Sequence, residues 1–131
     1  MLKGGCFCGA IRYEVDANLT QATACHCSIC RRTSAAPFVA WLTVTPGSFR
    51  IVSGRPKSFR SSEHATRTFC PSCGTPFTFQ STRHPNEVDV TTCSLDDPEH
   101  VPPRSHTWRA SGISWAKVVD GIPAYPEKCP E

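Results

Sequence analysis

The stretch Pro37-Phe38-Val39-Ala40-Trp41-Leu42-Thr43-Val44 is nearly continuous in apolar side chains. Such a run predicts a strand that is covered on both faces. Upstream, Ile11-Arg12-Tyr13-Glu14-Val15 alternates apolar and charged side chains, which is the pattern of a half-buried strand. Downstream, Ser48–Val52 continues as a strand after the Pro46-Gly47 turn. The sequence around the central run therefore predicts β structure.

The rest of the chain offers little room for long helices. Twelve prolines and eight glycines divide it into short segments. Three more of these segments are predicted to be strands: Arg67–Phe69, Pro76–Gln80 and Glu87–Thr92. A single helical turn is compatible with Cys30–Thr33 or with Asp97–His100. We therefore predict a mainly β fold in one domain, residues 1–131.

Charge and hydropathy argue against nucleic-acid and membrane partners. The formal net charge is +3 with all nine cysteines neutral. If seven cysteines bind two zinc ions as thiolates, the sum becomes zero, and no run of five basic residues exists, so nucleic acid is not an expected partner. No apolar run approaches the ~18 residues that span a membrane, and no secretory signal precedes Cys6. We expect a cytoplasmic protein without a membrane partner.

The nine cysteines fall into clusters. Because structural disulfides are rare in the cytosol, clustered cysteines there indicate metal ligands or redox groups. An odd number also excludes complete pairing within the chain, although an exported, disulfide-bonded protein remains an alternative. The groups are Cys6/Cys8, Cys25/Cys27/Cys30, Cys70/Cys73, and the isolated Cys93 and Cys129.

The motif Cys70-x-x-Cys73-Gly74 has the form of a zinc knuckle, in which two residues between the ligands let the backbone fold over the metal. Structural zinc takes four ligands, and Cys6-x-Cys8 is the natural complement. A metal on these four thiols would connect the N-terminal strand to the middle of the chain. A thioredoxin-like redox pair is the alternative, but its flanks here look like strands.

The motif Cys25-x-Cys27-x-x-Cys30 offers three thiolates from one short segment. Three protein ligands and an open position are typical of catalytic zinc. A closed structural site is equally compatible with the spacing if His26, Cys93 or Cys129 supplies the fourth ligand. The spacing leaves both alternatives open.

Three motifs in this order resemble the glutathione-dependent formaldehyde-activating enzyme family, which includes centromere protein V. They are Gly4-Gly5-Cys6-x-Cys8-Gly9-x-Ile11-Arg12-Tyr13, Cys25-His26-Cys27-x-x-Cys30-Arg31-Arg32 and Phe69-Cys70-x-x-Cys73-Gly74-Thr75. Ser94-Leu95-Asp96-Asp97-Pro98, His106-x-Trp108 and Trp115 also fit, whereas Cys93 stands where the family usually has a small residue.

The resemblance implies a Mss4-like fold of several small, mostly antiparallel sheets, stabilised by zinc. It also implies two zinc ions per chain, a structural one on Cys6, Cys8, Cys70 and Cys73 and a catalytic one on Cys25, Cys27 and Cys30. The implied activity is that of a carbon–sulfur lyase that adds a small-molecule thiol, such as glutathione, to an aldehyde such as formaldehyde, or catalyses the reverse.

The chemistry of a three-thiolate zinc site agrees with that activity. Such a site carries a formal charge of −1 and is a weak Lewis acid, but it can hold a substrate thiol as an electron-rich thiolate. Arg31 or Arg32 is a candidate to bind a substrate carboxylate, although charge compensation or solvent exposure is equally compatible. His26, His100 and His106 are candidate acid–base groups because histidine titrates near neutrality.

Two other functions remain open. One is a zinc-stabilised binding module without turnover, whose second site is closed by Cys93 or an outside ligand. The other is a thiol redox protein that uses Cys93 with Cys129 or with the 25/27/30 cluster. For Trp108 and Trp115, core packing is a simpler expectation than a place in the wall of a substrate pocket.

Overall fold

The computed structural model describes residues 1–130 and contains ten strands and one α-helix. The strands are β1 (Leu2–Gly5), β2 (Arg12–Val15), β3 (Gln21–Cys25), β4 (Val39–Val44), β5 (Phe49–Ser53), β6 (Lys57–Arg60), β7 (Ala65–Phe69), β8 (Pro76–Ser81), β9 (Val88–Thr91) and β10 (Ser105–Thr107). The helix α1 spans Ser28–Ser34. Single 3₁₀ turns occur at Pro46–Ser48, Thr92–Ser94, Pro98–His100 and Arg109–Ser111.

The strands form two sheets. One has three strands in the order β1-β2-β5, and the other has seven in the order β10-β3-β4-β9-β8-β7-β6. All neighbouring strands are antiparallel except β10 and β3, which run parallel. The prediction of a mainly β fold is confirmed. The expected set of small sheets takes the form of one small sheet and one large mixed sheet, because β4 joins strands on both of its edges.

The predicted central strand lies inside the larger sheet. Leu42 and Val44 are completely buried in β4, and Trp41 on its other face is 7% exposed. One core lies on the Leu42 face and includes Ile11, Tyr13 and Phe77, so it joins side chains of both sheets. A smaller cluster on the Trp41 face contains cysteines. The two faces of β4 therefore separate the core that includes Cys6 and Cys70 from the cluster that includes Cys25 and Cys30.

Tyr13 is held in the larger core by ring packing and by its hydroxyl group. Its ring is fully buried against Phe77, with centroids 5.8 Å apart, and its hydroxyl lies 2.5 Å from Oγ of Ser94. Gly4 lies opposite Tyr13 in the β1–β2 pair. A Cβ atom at Gly4 would overlap the Tyr13 ring and lie 2.6 Å from the Ser94 carbonyl oxygen. Glycine at this position lets the two strands and the Ser94 turn approach closely.

The helix differs from the single turn that the sequence indicated, since α1 has seven residues. Asp97–His100 does contain a turn, but of the 3₁₀ type, at Pro98–His100. Short strands with few apolar residues, such as β1, β6 and β10, were not expected from the pattern. No helix among the described residues is long and apolar enough to cross a membrane.

Candidate metal centres

Four thiols meet where the two sheets approach each other. Cys6 and Cys8 follow β1, whereas Cys70 and Cys73 lie in the turn between β7 and β8, and all four sulfurs lie within 4.8 Å of one another. Sγ of Cys8 lies 3.5 Å from that of Cys6 and 3.7 Å from that of Cys70. Tetrahedral zinc with Zn–S bonds of about 2.3 Å separates its sulfurs by about 3.8 Å. The donor set of this first cluster therefore fits a zinc ion.

Local hydrogen bonds prepare the first cluster for negative charge. The Ile11 amide donates to Sγ of Cys6 at 3.2 Å, and the Cys73 amide donates to Sγ of Cys70 at 3.5 Å. The side-chain hydrogen bond from Thr75 lowers the pKa of the Cys73 thiol to about 5. Gly74 has a φ of +84°, which the tight knuckle turn requires. The pKa is lowered at Cys6 and Cys73, which favours the thiolate form that binds metal, whereas the pKa of Cys8 is raised to about 12, with the Cys6 thiol as the largest cause that raises it.

The second cluster is built at the junction of β3 and α1. Cys25 ends β3, Cys27 is the N-cap of the helix, and Cys30 lies in its first turn. Their sulfurs lie within 4.8 Å of one another. Hydrogen bonds from the neighbouring Cys25 and Cys30 thiols lower the pKa of Cys27, whereas the pKa values of Cys25 and Cys30 are raised, with their thiol neighbours as the largest cause. The N-cap position explains why a helix begins here.

The surroundings of the second cluster are apolar on one side. Cys25 and Cys30 are buried against Val39 and Trp41, with Phe79 packed beside them. Three thiolates beside an apolar wall form a half-shell in which zinc fits with one position left for another ligand.

Among the described residues, none of the candidate fourth ligands joins the second cluster. Cys93 is exposed in the Thr92–Ser94 turn, and Sγ of Cys129 lies 3.5 Å from the carbonyl oxygen of Pro130. His26 turns its ring to His106 instead, with Nε2 of His26 2.9 Å from Nδ1 of His106. Of the open and closed sites that the spacing allowed, the three-thiol arrangement among the described residues matches the open one.

A hydrogen-bonded chain of side chains leads away from His26. Nε2 of His106 lies 2.9 Å from Oδ2 of Asp120. His26 and His106 are buried, and the His26 ring stacks on Phe38 with centroids 4.9 Å apart. Burial lowers the pKa of His26 to about 4, and the hydrogen bond from His106 lowers the pKa of Asp120. Sequence analysis singled out both histidines but missed Asp120, which carries no motif. We call Asp120, His106 and His26 the imidazole chain.

Basic side chains lie on the helix and on the neighbouring sheet face. Arg31 is half-buried with no partner for its Nε among the described residues, whereas Arg32 is exposed. Arg67 stacks over Phe79 with its Cζ 4.8 Å from the ring centroid, and its Nη1 lies 3.4 Å from Oγ1 of Thr33. No motif or spacing in the sequence pointed to Arg67. Stacked on the Phe79 ring beside the second cluster, it adds positive charge near the thiols.

The remaining candidates lie at the surface. His100 is exposed and pairs with Asp97, with Nε2 3.0 Å from Oδ2. The expectation that Trp108 and Trp115 pack in the core is wrong, since they are 38% and 74% exposed. Trp108 lies in a left-handed turn after β10, and Trp115 follows it in an irregular segment.

Comparison with known proteins identifies the family. The chain resembles an uncharacterized lyase of Schizosaccharomyces pombe, with 32% identity over 84 residues, which are 64% of this chain and 61% of that protein. A solved structure of a Rhodobacter sphaeroides protein superposes with a TM-score of 0.64 and 26% identity over 94% of this chain and 99% of the other. The sequence model named glutathione-dependent formaldehyde-activating enzyme matches residues 1–111. The chain therefore belongs to the glutathione-dependent formaldehyde-activating enzyme family.

Proposed function

We propose that this protein is a zinc-dependent carbon–sulfur lyase or synthase that joins a small-molecule thiol to a small aldehyde, or catalyses the reverse cleavage. The observation that supports this most is the separation of a complete four-thiol cluster from a three-thiol cluster whose fourth position no described residue fills. Structural zinc is held by four protein ligands, whereas three protein ligands and an open position are typical of catalytic zinc. The family and the lyase name of the yeast relative agree with this class of reaction.

The metal assignment follows from the two donor sets. Cys6, Cys8, Cys70 and Cys73 hold a structural zinc in a Mss4-like fold, and Cys25, Cys27 and Cys30 hold a second zinc, giving two per chain. Zinc at the second cluster supplies one kind of chemistry, the stabilisation of a substrate thiol as thiolate at neutral pH.

The chain's own residues bind and shield the reactants. The wall formed by Val39, Trp41 and Phe79 excludes water from one side of the thiols. Arg67 or Arg31 offers a positive charge to an acidic group of the thiol substrate, and glutathione is a substrate of that chemistry. In the joining direction, the thiol sulfur bonds to the carbonyl carbon of formaldehyde and the thiol proton ends on the oxygen, giving an S-hydroxymethyl product.

The remaining parts of the proposal concern location and size. All nine cysteines are free, which suits a reducing compartment, so we place the protein in the cytoplasm. Residues 1–131 then form one catalytic domain that acts on small molecules and not on nucleic acid.

The test compares Cys27→Ser with Cys93→Ser, an exposed thiol outside both clusters. We expect Cys27→Ser to lower the zinc content from about two to about one per chain. We also expect it to lower the formation of S-hydroxymethylglutathione from glutathione and formaldehyde at least ~100-fold, because the site that activates the thiol is lost. Cys93→Ser should keep both zinc ions and the activity.

A folded Cys27→Ser protein with full activity would disprove the enzyme assignment for this cluster. Equal rates with wild-type protein and with buffer, across several thiols and aldehydes, would favour the zinc-stabilised binding module. Zinc content measured by elemental analysis on protein purified without chelators separates the two interpretations of the second cluster.

A further inference from the structure

The imidazole chain adjoins the second cluster directly, because His26 lies between two of its cysteines in the sequence. The candidate ligands Cys25 and Cys27 flank His26 directly, so a shift of the His26 Cα atom displaces both of their side chains. The His26 ring is held on one face by Phe38 and at Nε2 by His106. These contacts anchor the His26 side chain and, through its Cα atom, restrain the backbone between Cys25 and Cys27.

Backbone hydrogen bonds connect the same region to the C-terminal strap, which we define as residues 120–127. The His26 amide donates to the carbonyl of Thr107 at 2.9 Å, so β10 pairs along the end of β3. On its other side, β10 receives the strap, since the amide of His106 donates to Pro123 and its carbonyl accepts from the amide of Tyr125, both at 2.8 Å. The strap thus reaches His26 through one intervening strand.

The carboxylate at the end of the imidazole chain fixes which nitrogens carry protons. An ionised carboxylate only accepts, so Nε2 of His106 must donate to Asp120. Neutral His106 then accepts at Nδ1, and Nε2 of His26 donates to it. This leaves Nδ1 of His26 as a bare acceptor, and that atom is buried with no partner among the described residues. The order agrees with the general finding that buried unpaired donors are rarer than under-satisfied acceptors.

We propose that Asp120 and His106 are positioning residues for the second cluster: they hold His26 in the Nε2–H tautomer, and so fix the Cys25–Cys27 backbone in the arrangement that retains the second metal. Asp120 lies beyond residues 1–111, the part that matches the family. The strap therefore adds a support to the metal centre that the matched region does not contain. The proposal rests on the second cluster binding a metal, as proposed above.

Asp120→Asn tests the donor–acceptor direction of the hydrogen bonds in the imidazole chain, because asparagine has nearly the same size and shape as aspartate. Oδ1 of Asp120 accepts the Ile122 amide at 3.2 Å, which holds the oxygen of an asparagine at that position. The new amide group then faces His106 and donates to its Nε2, so that every proton in the chain moves to the opposite nitrogen. His26 would carry its proton on the buried, unpartnered Nδ1. A removal of the same carboxylate by Asp120→Ala breaks the chain without reversing it.

Two measurements read out the effect. Long-range ¹H–¹⁵N NMR of the histidine rings should show the Nε2–H tautomer of His26 in the wild type and the Nδ1–H tautomer in Asp120→Asn. Zinc release to a chromophoric chelator should occur in two phases, one for each cluster. We expect the phase of the second cluster to be about tenfold faster in Asp120→Asn, in line with the usual effect of residues that orient metal ligands, while the other phase is unchanged.

Asp97→Asn is the matched control, because Asp97 also lies beside a histidine, with its Oδ2 3.0 Å from Nε2 of His100, but at the surface. It should leave both zinc phases and the His26 signal unchanged. An Nδ1–H tautomer of His26 in the wild type would overturn the proposal even if no variant folded. Equal zinc release from Asp120→Asn and Asp97→Asn would overturn the positioning role.

The tautomer and zinc-release measurements test the positioning role separately from the proposed catalytic activity. A wild-type protein with two zinc ions and the expected tautomer, but with no thiol–aldehyde activity, supports the positioning role and contradicts the proposed enzyme. If the wild-type protein turns over thiol and aldehyde but Asp120→Asn and Asp97→Asn release zinc equally fast, the result supports the proposed enzyme and contradicts the positioning role.

Discussion

Single atoms decide how closely the N-terminal strand packs. The Tyr13 hydroxyl occupies the space next to Gly4 and bonds to Ser94, so the absence of one Cβ atom brings three segments together. The motif that contains Gly4 was recognised by its cysteines. The reason for the glycine lies in a contact with Ser94, which is distant in the sequence.

We predict that Gly4→Ala destabilises the protein by about 1–3 kcal/mol, because the added methyl group overlaps the Tyr13 ring and the Ser94 carbonyl. Urea unfolding of the zinc-loaded protein measures the change. Gly47→Ala is the control, since no atom lies within 4 Å of the position that a Cβ atom would take there. Equal stability of the two variants would show that β1 shifts to make room.

At the scale of the element, the larger sheet carries a row of cross-strand neighbours formed by Thr43, Asp89, Phe79 and Arg67. Asp89 is the acidic member, on β9, and its Oδ1 accepts from Oγ1 of Thr43 at 2.5 Å. Burial raises the pKa of Asp89 to about 6. A carboxylate in this row is held at the cost of some stability whenever it is ionised.

The sign of the pH dependence follows from the raised pKa. The folded protein binds a proton at Asp89 up to about pH 6, whereas the unfolded chain releases it near the ordinary value of 3.8. The stabilising contribution of the protonated group is therefore complete below about pH 4 and is lost as the pH rises through about 6.

We predict that Asp89→Asn, which keeps the acceptor for Thr43, is more stable than the wild type at pH 8 by on the order of 1–3 kcal/mol and no more stable at pH 4. The difference in unfolding free energy between the two proteins, measured at several pH values, checks this, because effects of metal loss are common to both. A constant difference for Asp89→Asn would contradict the pKa assignment.

At the scale of the whole molecule, the two clusters constrain the chain to different degrees. The first cluster connects the three-stranded sheet to the β7–β8 turn, with Cys8 and Cys70 separated by 62 positions. The second cluster spans only residues 25–30. Since the entropy lost on closing a loop grows with its length, a metal at the first cluster restricts the unfolded chain far more.

We predict that Cys73→Ser lowers the unfolding free energy by about 2 kcal/mol more than Cys27→Ser, which is the loop-length contribution alone. Both variants lose one zinc ion, and neither side chain is fully buried, so each controls for the other. Urea unfolding with zinc content determined on the same samples measures the difference. Equal losses of unfolding free energy, with one zinc ion lost from each variant, would contradict the loop-length argument.

The sequence was sufficient for the local features and insufficient for the distant ones. The alternation around Tyr13, the apolar run of β4 and the cysteine spacings are properties of adjacent residues, so these strands and the thiol clusters were predictable. Asp120 and Arg67 act through partners that only the folded chain supplies. The parallel pairing of β10 with β3 was not predictable for the same reason, since Ser105 and Thr23 carry no signal for each other.

The parallel position of β10 also orders events during synthesis. All four thiols of the first cluster emerge from the ribosome before residue 105, whereas the strand that covers the end of β3 and the strap beyond it are translated later. The four thiols of the first cluster can thus come together while the chain is still growing. The edge of β3 that ends at Cys25 stays unpaired until residues 105–107 arrive, so the backbone beside the second cluster is the later of the two sites to be completed.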